Sequence, residues 1–230
     1  MQKATVSSPR RAAAASKASK TPAASKGAGR PRATEVEARL ADLKQTAGRL
    51  ILEKGYGNVS LEMIAREARV AVRTIYIKFG GKLGILRALL QEKRAAFFDT
   101  MDLDNDPRPV REVIDEFATR LYSLLTSPDA VALQRMLTAE AHSNPELVDT
   151  FFDNGPNVTR EAIARYLQRP EVRAQLRDDL PMAQLPVYLI NCITGDQLAR
   201  VLRDHTEGTP EQCAQAMRER LVLFYRSVLR

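Results

Sequence analysis

The sequence predicts an all-α protein in three parts: a disordered basic tail over residues 1–33, a compact three-helix unit over 34–81 built around a helix-turn-helix, and a larger helical domain over 82–230. Three observations support this. From Val36 onward apolar residues recur at the spacing of one helix face, and no segment alternates with period two for long enough to argue a sheet. The helical stretches are punctuated by glycine, or by a polar residue followed by proline, as helices end and restart. The 230 residues are 44% hydrophobic and 27% charged, enough apolar material for a small module plus one larger core.

The tail differs from the rest in composition and charge. From Ser7 to Ala33 it holds only Ala, Ser, Lys, Pro, Gly, Arg and Thr, with no large apolar group to offset the entropy of ordering. Lys3, Arg10, Arg11, Lys17, Lys20, Lys26, Arg30 and Arg32 lie in it, while all 28 acidic residues lie beyond it. The formal net charge of +7 is therefore a property of the tail, and a polyanion such as nucleic acid is its natural partner. A flexible tail that only aids solubility is the plainer reading. Gly29-Arg30-Pro31-Arg32 resembles the minor-groove core of an AT-hook, and insertion of Arg30 and Arg32 into a narrow groove fits as well as simple phosphate contact.

Several classes of function are disfavoured. No stretch approaches the roughly 18 apolar residues of a membrane span, and the N-terminus lacks the apolar run of a signal peptide, so a soluble, cytoplasmic protein with no membrane partner is expected. Cys192 and Cys213 have neither CxxC nor Cys/His spacing, which argues against a zinc site or a disulfide framework. Neither His142 nor His205 sits in a hydrolase, metalloprotease, P-loop or dinucleotide motif, so no enzyme, metal or cofactor is expected.

The first helix is read over 34–54 from the apolar face Val36, Leu40, Leu43, Ala47, Leu50 and Ile51. Gly55 ends it in a left-handed C′ conformation, with Tyr56 closing the apolar contact. A short second helix starts after the N-cap Ser60 and breaks near Arg69-Val70; a third runs to about Lys78. Gly80-Gly81 separates it from a long fourth helix that starts at Lys82 and reaches the acidic, proline-containing break at 102–109. Beyond it, helices are expected near 109–126, 128–142, 145–168, 181–204 and 209–229, with Pro186 in a first turn or at a kink.

A longer helix followed by two short ones joined by a tight turn makes a helix-turn-helix, whose second member enters the major groove of DNA. Over about residues 38–90 the chain resembles the tetracycline-repressor (TetR) family, through Gly55-Tyr56, Ile64-Ala65, Ala68, Val70, Thr74-Ile75-Tyr76, Phe79, Lys82 and Leu86 in one ungapped register. It departs from the family pattern at Arg69, where glycine is usual in the turn, and at Ala71, where a hydroxyl cap is usual. Arg69 in left-handed backbone costs roughly 1 kcal/mol, which a packed motif absorbs.

Ile64, Ala65, Ile75 and Phe79 fall on the inward side as core. The outward side of the third helix offers Arg73, Thr74, Tyr76, Ile77 and Lys78. Arg73 suits bidentate guanine recognition, Thr74 a thymine methyl or a phosphate, Ile77 a methyl, and Lys78 a phosphate. For Tyr76 the resemblance implies a phosphate contact through its hydroxyl. Lys82 opposes the positive end of its helix dipole, so something anionic is expected beside it, and the matching family lysine implies DNA phosphate. Ser60 is placed to reach a phosphate while capping its helix; capping alone is the simpler account.

One such module contacts few base pairs, so a homodimer on double-stranded DNA is expected. The resemblance implies that the last two long helices pair with their symmetry mates, through Leu185, Leu189, Cys192, Ala199 and Leu202 on one and Met217, Leu221, Phe224 and Val228 on the other. The run Leu221-Val222-Leu223-Phe224-Tyr225 is apolar almost all round and must be covered on more than one side. Phe97, Met101, Phe117, Tyr122, Met136, His142 and Phe152 are candidate lining residues for a small apolar effector, with His142 and Tyr122 as polar anchors; a plain helical core needs the same residue types. The expected mechanism is a repressor released from a pseudo-palindromic operator when an effector tilts the fourth helix. The rival is a sequence-nonspecific nucleoid-associated protein acting through its tail.

Overall fold

The computed structural model describes residues 33–203 and 208–230, so the tail with Arg30 and Arg32, and His205, lie outside the described residues. The described chain is helical: α1 (Ala33–Lys54), α2 (Leu61–Glu67), α3 (Val72–Phe79), α4 (Lys82–Phe98), α5 (Val110–Leu125), α6 (Pro128–Glu140), α7 (Pro145–Asn154), α8 (Pro156–Gln168), α9 (Pro170–Arg173), α10 (Leu185–Thr194), α11 (Gln197–Leu202) and α12 (Pro210–Val228). An isolated antiparallel bridge joins Leu176 to Leu229. No helix among the described residues is long and apolar enough to cross a membrane.

Local chemistry sets the ends of the first four helices. Gly55 closes α1 with φ of 84° and its N–H on the Ile51 carbonyl at 3.0 Å, and Tyr56 folds into the core behind it. The Ser60 hydroxyl accepts from the Met63 N–H at 3.2 Å and starts α2. Arg69 holds φ of 54° in the α2–α3 turn, the one non-glycine residue with positive φ among the described residues. Ala71 precedes α3 without a side-chain cap. Beyond α3, Gly84 is pressed against backbone: a Cβ there would lie 1.5 Å from the Phe79 carbonyl oxygen, so α4 crosses the end of α3 more closely than a larger residue permits.

Two of the expected long helices are interrupted. The helix read over 145–168 is two, because Gly155 leaves helical geometry and Pro156 restarts as the first residue of α8. The one read over 181–204 begins only at Leu185, with Pro186 in its first turn, and breaks at Gly195. There φ is +59°, and a Cβ would lie 2.7 Å from the Arg220 guanidinium, which donates to the Cys192 carbonyl at 2.7 Å. Gly195 thus makes room for the α12 side chain that caps α10. Asp196 caps α11 by accepting from Ala199 N–H at 3.0 Å, and Thr209 with Gln212 forms a capping box on α12.

The apolar interior divides into two cores. One packs α5, α8, α9, α10 and α12 around Phe117, Ile163, Leu189, Leu221 and Phe224. The other packs α1 to α4 around Leu43, Ile51, Ile64, Ile75 and Ile85, and also takes in Met136, Leu137 and Leu147 from α6 and α7. The small N-terminal unit therefore completes its core with the α6–α7 pair.

Candidate nucleic-acid interface

The α3 helix presents two faces. Ile75 is fully buried and Phe79 packs on the core. On the other side Tyr76 is 58% and Ile77 68% exposed, Arg73 and Lys78 are exposed, and Thr74 is half-buried. Burying Ile75 fixes the helix rotation and leaves an apolar isoleucine and an aromatic ring facing water between two cations. A single exposed apolar side chain is ordinary, but together with an aromatic ring and two cations on one helix it makes a surface suited to base edges and phosphates. Ser60 is exposed at the head of α2, its hydroxyl engaged in the cap.

Lys82 is engaged within the protein. Its ammonium donates to the carbonyl oxygens of Tyr56 and Val59, the latter at 2.7 Å, and lies 3.9 Å over the Tyr56 ring. Desolvation holds its pKa below the usual lysine value, opposed by the Glu140 carboxylate. The negative partner that the α4 dipole calls for is thus supplied first by the loop between α1 and α2. Two of the ammonium's three N–H groups are used there, and one remains to point elsewhere.

A cavity of about 790 Å³ opens between the C-terminus of α1, helices α5 and α6, α11, and the start of α12. Of the proposed lining residues, Tyr122 and Met136 border it. The others lie away from it. Phe97 and Phe117 stack edge to face with centroids 5.7 Å apart, and with the buried Met101 they belong to the C-terminal core. His142 stands on the exposed turn after α6, and Phe152 is 39% exposed on the outside of α7. Sequence reasoning missed Arg135, Glu140 and Arg200 in the wall. Their spacing along amphipathic helices looks like an ordinary solvated face.

The expected dimer residues divide between core and surface. Leu185, Leu189, Met217, Leu221, Phe224 and Val228 are all buried within the protomer, where they join α10 to α12 and the rest of the core. Cys192 and Ala199 are half-buried, and Leu202 is 65% exposed. Burial pushes the Cys192 thiol up, away from the thiolate form that redox chemistry needs. With Leu202, the outward apolar residues are Val187 and Tyr188 on α10, Leu198 on α11, and Val222 and Leu223 on α12. The uninterrupted run at 221–225 was the signal for them, since only part of such a run can face one core.

Residues 45–89 match the family described as bacterial regulatory proteins, tetR family, and residues 112–184 match the C-terminal domain of AefR-like transcriptional repressors. The fatty acid metabolism regulator protein of Bacillus subtilis is 32% identical over 143 residues, covering 60% of this chain and 72% of that protein. The solved structure of the flavonoid-responsive regulator FrrA superimposes with a TM-score of 0.67 at 22% identity, over 84% of this chain and 98% of that one. NalD, the secondary repressor of the MexAB-OprM multidrug efflux pump in Pseudomonas aeruginosa, superimposes with a TM-score of 0.59 at 23% identity, over 86% and 98%. These two likenesses are of fold.

Proposed function

The chain belongs to the TetR family of DNA-binding transcriptional regulators, and from that premise we propose that it is a repressor that binds a pseudo-palindromic operator as a homodimer and is released by a small effector. The observation that carries this reading is the α3 surface, where Arg73, Tyr76, Ile77 and Lys78 face solvent on a helix locked in rotation by Ile75. Lying in the major groove, Arg73 reads a guanine edge, Ile77 and Thr74 touch thymine methyls, and Tyr76 and Lys78 hold phosphates. The remaining N–H of Lys82, with the amides at the start of α4, takes a further phosphate. Arg30 and Arg32 extend the contact into the neighbouring groove or along the backbone. Ser60 serves α2 as its cap.

Two copies meet through the outward apolar residues of α10, α11 and α12, which sets two α3 helices about one DNA turn apart, roughly 34 to 36 Å. The effector occupies the cavity beside α6. The names of a fatty acid metabolism regulator and a flavonoid-responsive regulator among the similar proteins are in keeping with an effector that has an apolar body. Selection of bound duplexes from random DNA by the purified full-length protein tests the reading: an enriched pseudo-palindrome supports it. Binding of every duplex alike, or binding lost on removal of residues 1–33, gives the function to the tail instead.

A further inference from the structure

We propose, building on the effector-released reading above, that the cavity takes an amphipathic organic anion, a carboxylate on an apolar body, and that Glu140 passes its presence directly to the DNA-reading unit. Leu52 of α1 with Val131, Ala132 and Met136 supplies apolar wall. A volume of about 790 Å³ falls within the range of small-molecule sites. Arg200 stands at the same wall, its guanidinium 5.6 Å over the Tyr122 ring and donating to the Thr194 carbonyl at 3.1 Å. Both partners are neutral: they fix the group in place and leave its charge uncompensated by them. A planar guanidinium held in this way suits the two oxygens of a carboxylate.

Glu140 is the one acidic residue among the described lining residues, and its carboxylate is turned to other work. It accepts the Gly57 N–H at 2.8 Å and the Asn144 side-chain amide at 2.7 Å. Gly57 lies in the loop between α1 and α2 that Lys82 grips at Tyr56 and Val59, and that Asn58 ties to the Lys54 carbonyl at 2.9 Å. Leu52 and Gly55, also in the cavity wall, belong to this reading unit. An occupant that moves α6 relative to α1 therefore moves the loop that leads into α2 through one hydrogen bond, without first tilting α4. The short path separates this device from a relay along the fourth helix.

The test uses the full-length protein on its selected operator, with dodecanoate below its micellar concentration as probe and dodecanol as its neutral counterpart. Dodecanoate is expected to bind, by calorimetry, and to weaken operator affinity roughly tenfold or more, while dodecanol does not. Ala132→Phe, or Val131→Phe if the first fails to fold, fills the cavity and is expected to keep operator binding and lose the response. Arg200→Gln is expected to lose the preference for the anion and Arg200→Lys to regain part of it. Glu140→Ala removes an acid from the wall, so it is expected to bind dodecanoate at least as tightly and yet release the operator less. Equal action of dodecanol, an unchanged response in the filled variant, or full release in Glu140→Ala overturns the proposal. Failure of the unmodified protein to select any operator overturns the earlier reading instead.

Discussion

The Lys82 ammonium lies 2.7 Å from the carbonyl oxygen of Val59 and also holds that of Tyr56, so the first residue of α4 fastens the loop that positions α2. Lys82→Ala leaves two carbonyl groups without their donor. It is expected to lower stability by about 1 to 3 kcal/mol, read from urea unfolding. The same variant is expected to weaken binding to all duplexes alike and to flatten the salt dependence by about one unit. An unchanged unfolding midpoint removes the structural role, and an unchanged slope the phosphate contact.

Arg69 sits at φ of 54° in the helix-turn-helix turn, a conformation that glycine adopts without a Cβ penalty. Arg69→Gly is expected to raise stability by up to about 1 kcal/mol, offset in part by the greater freedom of glycine in the unfolded chain. A loss of stability in thermal unfolding shows that the arginine side chain contributes more than the strain removes.

Burial raises the phenol pKa values of Tyr56 and Tyr166 to about 12, from an ordinary 10. Between these values the unfolded chain has released protons that the folded protein still holds, so stability is present in full below pH 10 and is lost as pH climbs towards 12. Urea midpoints are expected to fall steeply above pH 10. The Tyr166 hydroxyl is buried and makes no hydrogen bond among the described residues. Tyr166→Phe is therefore expected to leave stability at pH 7 unchanged or higher by about 1 kcal/mol, and to make the alkaline fall shallower. A clear loss at pH 7 gives that hydroxyl a partner.

Leu223 is 60% exposed while its neighbour Leu221 is 1% exposed, which separates assembly from folding on one helix. Leu223→Arg is expected to yield a folded monomer by light scattering, with operator affinity reduced at least tenfold. Leu221→Ala is expected to cost about 2 to 5 kcal/mol of stability through the cavity it opens. A dimer that survives Leu223→Arg places the interface elsewhere.

The sequence carried the reading unit well because its signals are local. Gly55 is followed by an aromatic residue, Ser60 stands three residues before the amide it caps, and Ile75 and Phe79 repeat at helical spacing on one side of α3 while Arg73 and Ile77 repeat on the opposite side. The failures are tertiary. Leu221 and Leu223 are equally apolar, and only the position of α5 and α10 decides which one faces the core. The same holds for Phe117 and Met136, one sealed in the core and one beside a cavity. That α6 and α7 complete the N-terminal core is also beyond a periodicity argument, since Met136, Leu137 and Leu147 say that they are buried but not against what. The breaks at Gly155 and Gly195 were written in the sequence, yet isolated glycines within helical patterns are often tolerated.

Hydroxyl-radical footprinting of the full-length protein on its selected operator tests most directly whether α3 reads DNA as one of a pair. The account predicts two symmetric protected patches centred about 10 base pairs apart, both lost in a variant carrying Arg73→Ala and Lys78→Ala. Protection that is uniform along any duplex and indifferent to those substitutions contradicts it.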